Sequence, residues 1–167
     1  MSIVPIRTDN GLNRPAHGTM ARPALVLDAA GETGAAIVSA LLASGRPVIA
    51  AAAAAQSLAD LPSPPAGGPD LLRVHGNTHT ETAGAALANA VRLLRRPLGA
   101  VVALLGGELM PGRLLDHDSR FLREALDASV FPHLVAARHL LPLLSENPFA
   151  SHYLVVGGPA ADMPWAG

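Results

Sequence analysis

The sequence predicts an α/β domain built on a doubly wound, all-parallel sheet. From Ala24 onward, short apolar runs alternate with longer amphipathic ones, the order of βαβ units, whose crossover helices make neighbouring strands parallel. Half of the residues are hydrophobic but only 3% are aromatic. The core must therefore be assembled from Ala, Leu and Val, the side chains of closely layered helix-on-sheet packing rather than of a β-sandwich. The 167 residues are enough to bury one core and leave no room for a second.

In order along the chain, residues 1–22 carry Pro5, Gly11, Pro15 and Gly18 without a sustained period and read as a flexible leader. Residues 23–167 form the domain, and Met20 could itself be a native start. Ala24 to Leu27 is the first strand, and Gly34 to Ala43 its helix, stopped at Ser44-Gly45. Pro47 to Ala51 is the second strand, with a short helix toward Asp60 and a proline-rich surface loop from Pro62 to Pro69. Leu71 to His75 is the third strand. Thr78 and Glu81 then stand in capping-box spacing before a helix whose inner face is expected at Ala83, Ala86, Leu87, Ala90, Val91 and Leu94, stopped by Pro97.

Val101 to Leu105 is the fourth strand. The longest helix is expected from Asp118 to Ser145, with one broad face through Phe121, Leu122, Ala125, Leu126, Ser129, His133, Leu134, Ala137, Leu140, Leu141 and Leu144. Pro132 and Pro142 should kink it and divide it near Ser129, because each removes a backbone donor and crowds the carbonyl four residues earlier. Tyr153 to Val156 is the fifth strand.

Composition excludes several functions. The formal charge is −1, and the basic residues follow no stripe that could track a phosphate backbone, so nucleic acid is not an expected partner. All 12 basic residues are Arg, which excludes chemistry that needs a lysine amine. The absence of Cys excludes thiol nucleophiles and thiolate metal sites. With no secretory h-region and no apolar run of membrane length, a cytoplasmic location away from membranes is expected.

Other constellations are weak. His75 and His79, or Asp116, His117 and Asp118, invite a metal reading, but a strand end and a following turn do not put the two histidines on one helical face, so no metal is expected. His133 and His139 read as half-buried polar residues of the long helix. No G-x-S-x-G elbow marks a serine hydrolase. Arg92, Arg95 and Arg96 form the only basic cluster and read as a solvated face at a helix C-terminus.

The first strand and the turn Asp28-Ala-Ala-Gly-Glu-Thr-Gly34 together resemble the TGxxxGxG turn of the short-chain dehydrogenase/reductase family. Val101-Val-Ala-Leu-Leu-Gly-Gly107 stands where that family has its Asn-Asn-Ala-Gly turn. Asp127-Ala-Ser-Val130 with His139-Leu-Leu-Pro-Leu-Leu144 resembles its long helix, and Tyr153-Leu-Val-Val-Gly-Gly158 its fifth strand. The resemblance implies a Rossmann-type fold, five strands in the order 3-2-1-4-5, lacking the C-terminal part of the family fold.

It also implies where the family's chemistry is lost. Asp28 and Glu32 replace two glycines of the phosphate turn, where they should cap the helix, occupy its donors and repel a pyrophosphate. Ala50 to Ala55 offers no residue to select a ribose or a 2′-phosphate. Leu104 and Leu105 replace two asparagines. Residual cofactor contacts are expected at Gly31, Gly34, Asn77, Gly106 and Gly107, with Asn77 at the place of an adenine-contacting Asp.

Of the family's catalytic Asn, Ser, Tyr and Lys, the first two positions hold Ser129 and Gly158, and the Tyr and Lys would lie beyond Gly167. Tyr153, the only tyrosine, has Gly157 four residues on and is not the YxxxK tyrosine. No catalytic residue is therefore expected and no cofactor, or NAD(P) if any. The leading expectation is a non-catalytic binding or assembly protein, a pseudoenzyme. A partial form of an NAD(P)H-dependent oxidoreductase is the alternative, and a small-molecule sensor a third reading. In the resembled family the long helix pairs with its copy, so a homodimer through Phe121 to Leu144, with strand five contributing, is expected.

Overall fold

The computed structural model describes residues 21–64, 66–106, 114–146 and 150–157. Five parallel strands form one sheet in the order β3-β2-β1-β4-β5: β1 (Ala24–Leu27), β2 (Val48–Ala52), β3 (Leu71–His75), β4 (Ala100–Ala103) and β5 (His152–Val155). The helices are α1 (Glu32–Ala43), α2 (Ala55–Ala59), α3 (Glu81–Leu93), α4 (Ser119–Ser129) and α5 (Phe131–Ser145), with a 3-10 turn at Leu114–Asp116. This is the predicted Rossmann-type architecture, with boundaries moved by one or two residues.

Strand side chains alternate between two cores, as the two-residue period of a pleated sheet requires. Leu25, Leu27, Ile49, Val101 and Ala103 pack with Leu87, Ala88 and Val91 of α3 and Ala136, Leu140, Leu143 and Leu144 of α5. Val26, Val48, Ala50, Ala52 and Val102 pack on the other face with Val38 and Leu42 of α1 and Leu58 of α2. All four residues of β1 and of β4 are buried, whereas three of the four residues of β5 are exposed.

The long helix divides where the prolines predict. Val130 ends α4 and starts α5, and Pro132 stands in the first turn of α5, where its missing donor costs nothing. Pro142, by contrast, leaves α5 undivided as far as Ser145.

The expected single face fails at that division, because Val130 resets the phase. In α5 the buried residues are Pro132, Val135, Ala136, Leu140, Leu143 and Leu144, while Leu134 and Leu141 are exposed. No residue of α4 is fully buried; Leu122, Ala125 and Ser129 are half-buried, and Phe121 and Leu126 are exposed.

In α3 the inner face is Gly84, Leu87, Ala88 and Val91, and Ala86 is exposed. Gly84 sets this rotation: a Cβ there would collide with Val135 Cγ1 and lie 3.0 Å from the His139 ring, so its absence lets α3 and α5 approach closely. The cap of α3 is Thr80, whose hydroxyl accepts from Ala83 N at 3.1 Å, and not Thr78. Glu81 does not close a capping box. It turns to α5, accepting from Arg138 Nη1 at 3.2 Å and meeting His139 Nε2 at 2.7 Å.

Candidate functional site: the crevice at the carboxyl edge of the sheet

All five strands point their carboxyl ends at one edge, and there the order reverses between β1 and β4. Open α/β sheets have a crevice at such a point. Here its cavity is about 40 Å3, partly open to solvent. Leu27, Asp28, Ala52 and Ala53 line it from β1 and β2, Gly76 to His79 from β3, Leu105 and Gly106 from β4, and Ala128 and Pro132 from the α4–α5 junction.

Its first wall is the turn from β1 to α1. Ala29 N donates to Ala51 O at 3.0 Å, tying the turn to β2. Asp28 has φ 55, in the left-handed region where a Cβ is costly and glycine is favoured. Gly34 is buried against the same turn. A Cβ there would lie 2.7 Å from the Ala29 carbonyl carbon and oxygen and from the Asp28 carbonyl oxygen. The backbone thus keeps the shape of a glycine turn at both positions, although one of them holds Asp.

Gly31 is the N-cap of α1 in an extended conformation, and α1 has no side-chain cap. This corrects the sequence expectation: neither Asp28 nor Glu32 satisfies the donors of the first turn. Both acids are exposed, with Glu32 in that turn. The helix therefore presents open donors and the positive end of its dipole, with two carboxylates beside them.

The second wall follows β3. Asn77 is half-buried and its Oδ1 accepts from His79 N at 3.0 Å, which leaves the amide nitrogen available to a ligand. Thr78 is buried, and its hydroxyl has no partner among the described residues. His75 Nε2 lies 2.8 Å from Ala53 O across the mouth of β2. Sequence reasoning missed Thr78 and His79 as crevice residues because Thr78 matched a capping motif. The signal available was their position directly after a strand end.

Gly106 is exposed and open on the crevice, Leu105 is buried in the core, and Leu104 is partly buried. Gly107 and Gly158 lie outside the described residues. Ser129 does not line the crevice; its hydroxyl donates to Ala125 O within its own helix, and Ala128 and Pro132 take the crevice positions. Tyr153 faces the α3–α5 core with a buried hydroxyl that has no partner among the described residues and whose pKa burial raises. Among the described residues, no three of His, Asp and Glu come together as a metal set. None of the described helices is long and apolar enough to cross a membrane.

The chain matches no protein-family model and no curated protein. It is similar to solved structures. A short-chain type dehydrogenase/reductase from Mycobacterium ulcerans superposes with a TM-score of 0.75 at 20% identity, over 86% of this chain and 54% of that one. Serine dehydrogenase from Escherichia coli gives 0.72 at 19%, over 87% and 66%. Pseudomonas aeruginosa RhlG, in an NADP active-site complex, gives 0.73 at 23%, over 87% and 58%. The fold is that of short-chain dehydrogenase/reductases, and the chain spans between about half and two-thirds of the length of these three.

Proposed function

We propose that this chain is a short-chain dehydrogenase/reductase-type scaffold that acts by binding or assembly, without redox turnover. The observation that carries the reading is the pair of exposed acids, Asp28 and Glu32, beside the uncapped start of α1. NADP is the ligand named for the RhlG structure, and NAD for that of another neighbour, the NADH-dependent reductase A1-R′. The residues here do not fit such a group. A pyrophosphate would meet two carboxylates, and Ala53 to Ala55 after β2 carry no group for a ribose or its phosphate.

Titration calorimetry with NADH and NADPH tests this. The native chain should bind neither at micromolar concentration. Because the α1 donors are open, removing charge alone, as Asp28→Asn with Glu32→Gln, should strengthen NADH binding at least about tenfold, the effect of 1.4 kcal/mol. A micromolar constant for the native chain would overturn the reading.

A partial form of an NAD(P)H-dependent oxidoreductase is the second reading, favoured by the fraction of each neighbour that is covered and by the exposed β5. Intact mass set beside the gene's reading frame separates the two. A frame continuing into Tyr-x-x-x-Lys supports the enzyme.

For assembly, the reading is a cytoplasmic homodimer through α4 and α5. Leu126, Val130, Leu134 and Leu141 are 60%, 46%, 61% and 46% exposed, which is unusual for four neighbouring apolar side chains of two helices. Since Leu134 and Leu141 are outside the core, Arg at both should give folded monomer by light scattering and circular dichroism. A native chain that is already monomeric at high concentration would refute the dimer.

A further inference from the structure

At the amino edge of the sheet, opposite the crevice, the ends of α3 and α5 and the strand-entry segment Pro97-Leu98 enclose a second cleft. Its cavity is about 200 Å3, partly open to solvent. That is below the roughly 300–1,000 Å3 of sites for drug-sized ligands and suits only a short molecule of a few heavy atoms. Its floor is apolar: Val91, Leu98 and Leu143 line it and are themselves buried. Its rim is charged, with Arg92, Arg95 and Arg96 from the end of α3 and Glu146 from the end of α5. All three arginines are exposed, as expected of a solvated face, and that face borders the cleft.

The charges do not balance. Arg96 Nη1 is held by Asp70 Oδ2 at 2.7 Å, and Arg92 Nη2 is 3.9 Å from Glu146 Oε1, a loose pair. Three guanidinium groups face two carboxylates, and Arg95 has no side-chain partner among the described residues. Arg95 is also one of two non-glycine residues with positive φ among those described, at 52. A long charged side chain is thus kept at a backbone position that would be easier for glycine, with its guanidinium at the rim of an apolar cleft.

We infer that this cleft binds a small amphipathic monoanion, a carboxylate whose short apolar body rests on Val91, Leu98 and Leu143 and whose head is held by Arg95 and Arg92. One negative charge completes the count of three cations against two acids, and a planar carboxylate suits the guanidinium fork. A longer or dianionic ligand would carry charge toward Glu146 and the carbonyl ends of α3 and α5.

Calorimetric titration of the full chain with hexanoate, acetate and hexanol tests the inference. Hexanoate should bind at least about tenfold more tightly than acetate, which lacks the apolar body, or hexanol, which lacks the charge. Arg95→Gly should weaken hexanoate at least about tenfold while the melting temperature holds or rises, since glycine relieves the positive φ. Glu146→Gln should tighten it by removing the competing acid. No binding of hexanoate, equal binding of hexanoate and hexanol, or an Arg95→Gly chain that binds as the native one does would each overturn the assignment. NADH titrations report on the crevice separately, so neither reading depends on the other.

Discussion

The two edges of the sheet differ in how firmly their charged groups are held. At the amino edge they tie segments together: Arg96 holds Asp70, Arg46 Nε donates to Arg22 O at 3.2 Å, and Arg22 Nη2 donates to Ala150 O at 3.1 Å. Arg95 is the exception there. At the carboxyl edge His75 and Asn77 make such ties, but among the described residues Asp28, Glu32 and the Thr78 hydroxyl make none, and the first donors of α1 have no side-chain cap. Native structures satisfy their buried polar groups almost throughout, so the buried Thr78 hydroxyl, without a partner among the described residues, stands out at this edge, while the two acids are exposed.

The sharpest way to break this contrast is Gly34→Ala. A Cβ pressed against backbone has no flexible neighbour to displace, so the turn must move. The expected loss is about 2–3 kcal/mol, seen as a lower midpoint in urea, and the crevice should lose its shape with it. An unchanged midpoint would mean that the turn is already loose.

Thr78→Val sharpens the contrast with a smaller effect. It keeps the shape and removes an unsatisfied hydroxyl, so thermal unfolding should show a gain of about 1 kcal/mol. A loss instead would mean that the hydroxyl is satisfied by water in solution.

Glu81 gives the smallest effect and tests a matched group beside the crevice. The hydrogen bond with His139 holds its carboxyl below the usual glutamate range, against an opposing push from desolvation, and Arg138 assists. A depressed carboxylate pKa contributes stability that is present above the unfolded pKa and is lost as pH falls through the folded one. Unfolding midpoints for the native chain should therefore fall on acidification below the usual glutamate range, and this component should be missing in Glu81→Gln. Equal acid sensitivity in both chains would remove the contact from the account.

Much of this fold was legible because it rests on local signals. The bounds of β1 and β3 match the apolar runs, and the helix division at Val130 follows from Pro132. Sequence reading failed where tertiary contact decides. The spacing of Thr78 and Glu81 suggests a capping box, but a partner 58 residues away claims the Glu81 carboxylate, leaving the cap to Thr80. The face of α3 is rotated from the expected one because Gly84, which carries no weight in a hydrophobic pattern, is where α5 packs closely, at Val135 and His139. The replaced glycines of the phosphate turn were legible residue by residue. That α1 lacks a side-chain cap was not, because a carboxylate near a helix start says nothing of where it points.

The positive φ of Asp28 also bears on how this turn could change over generations. Its backbone already lies where glycine is most at ease, so Asp28→Gly asks nothing new of the fold and removes a carboxylate from the mouth of the crevice. Every aspartate codon is one base change from a glycine codon, and the same holds for glutamate at Glu32. The acidic turn and an anion-accepting one are therefore neighbours in sequence space, joined by single-base steps.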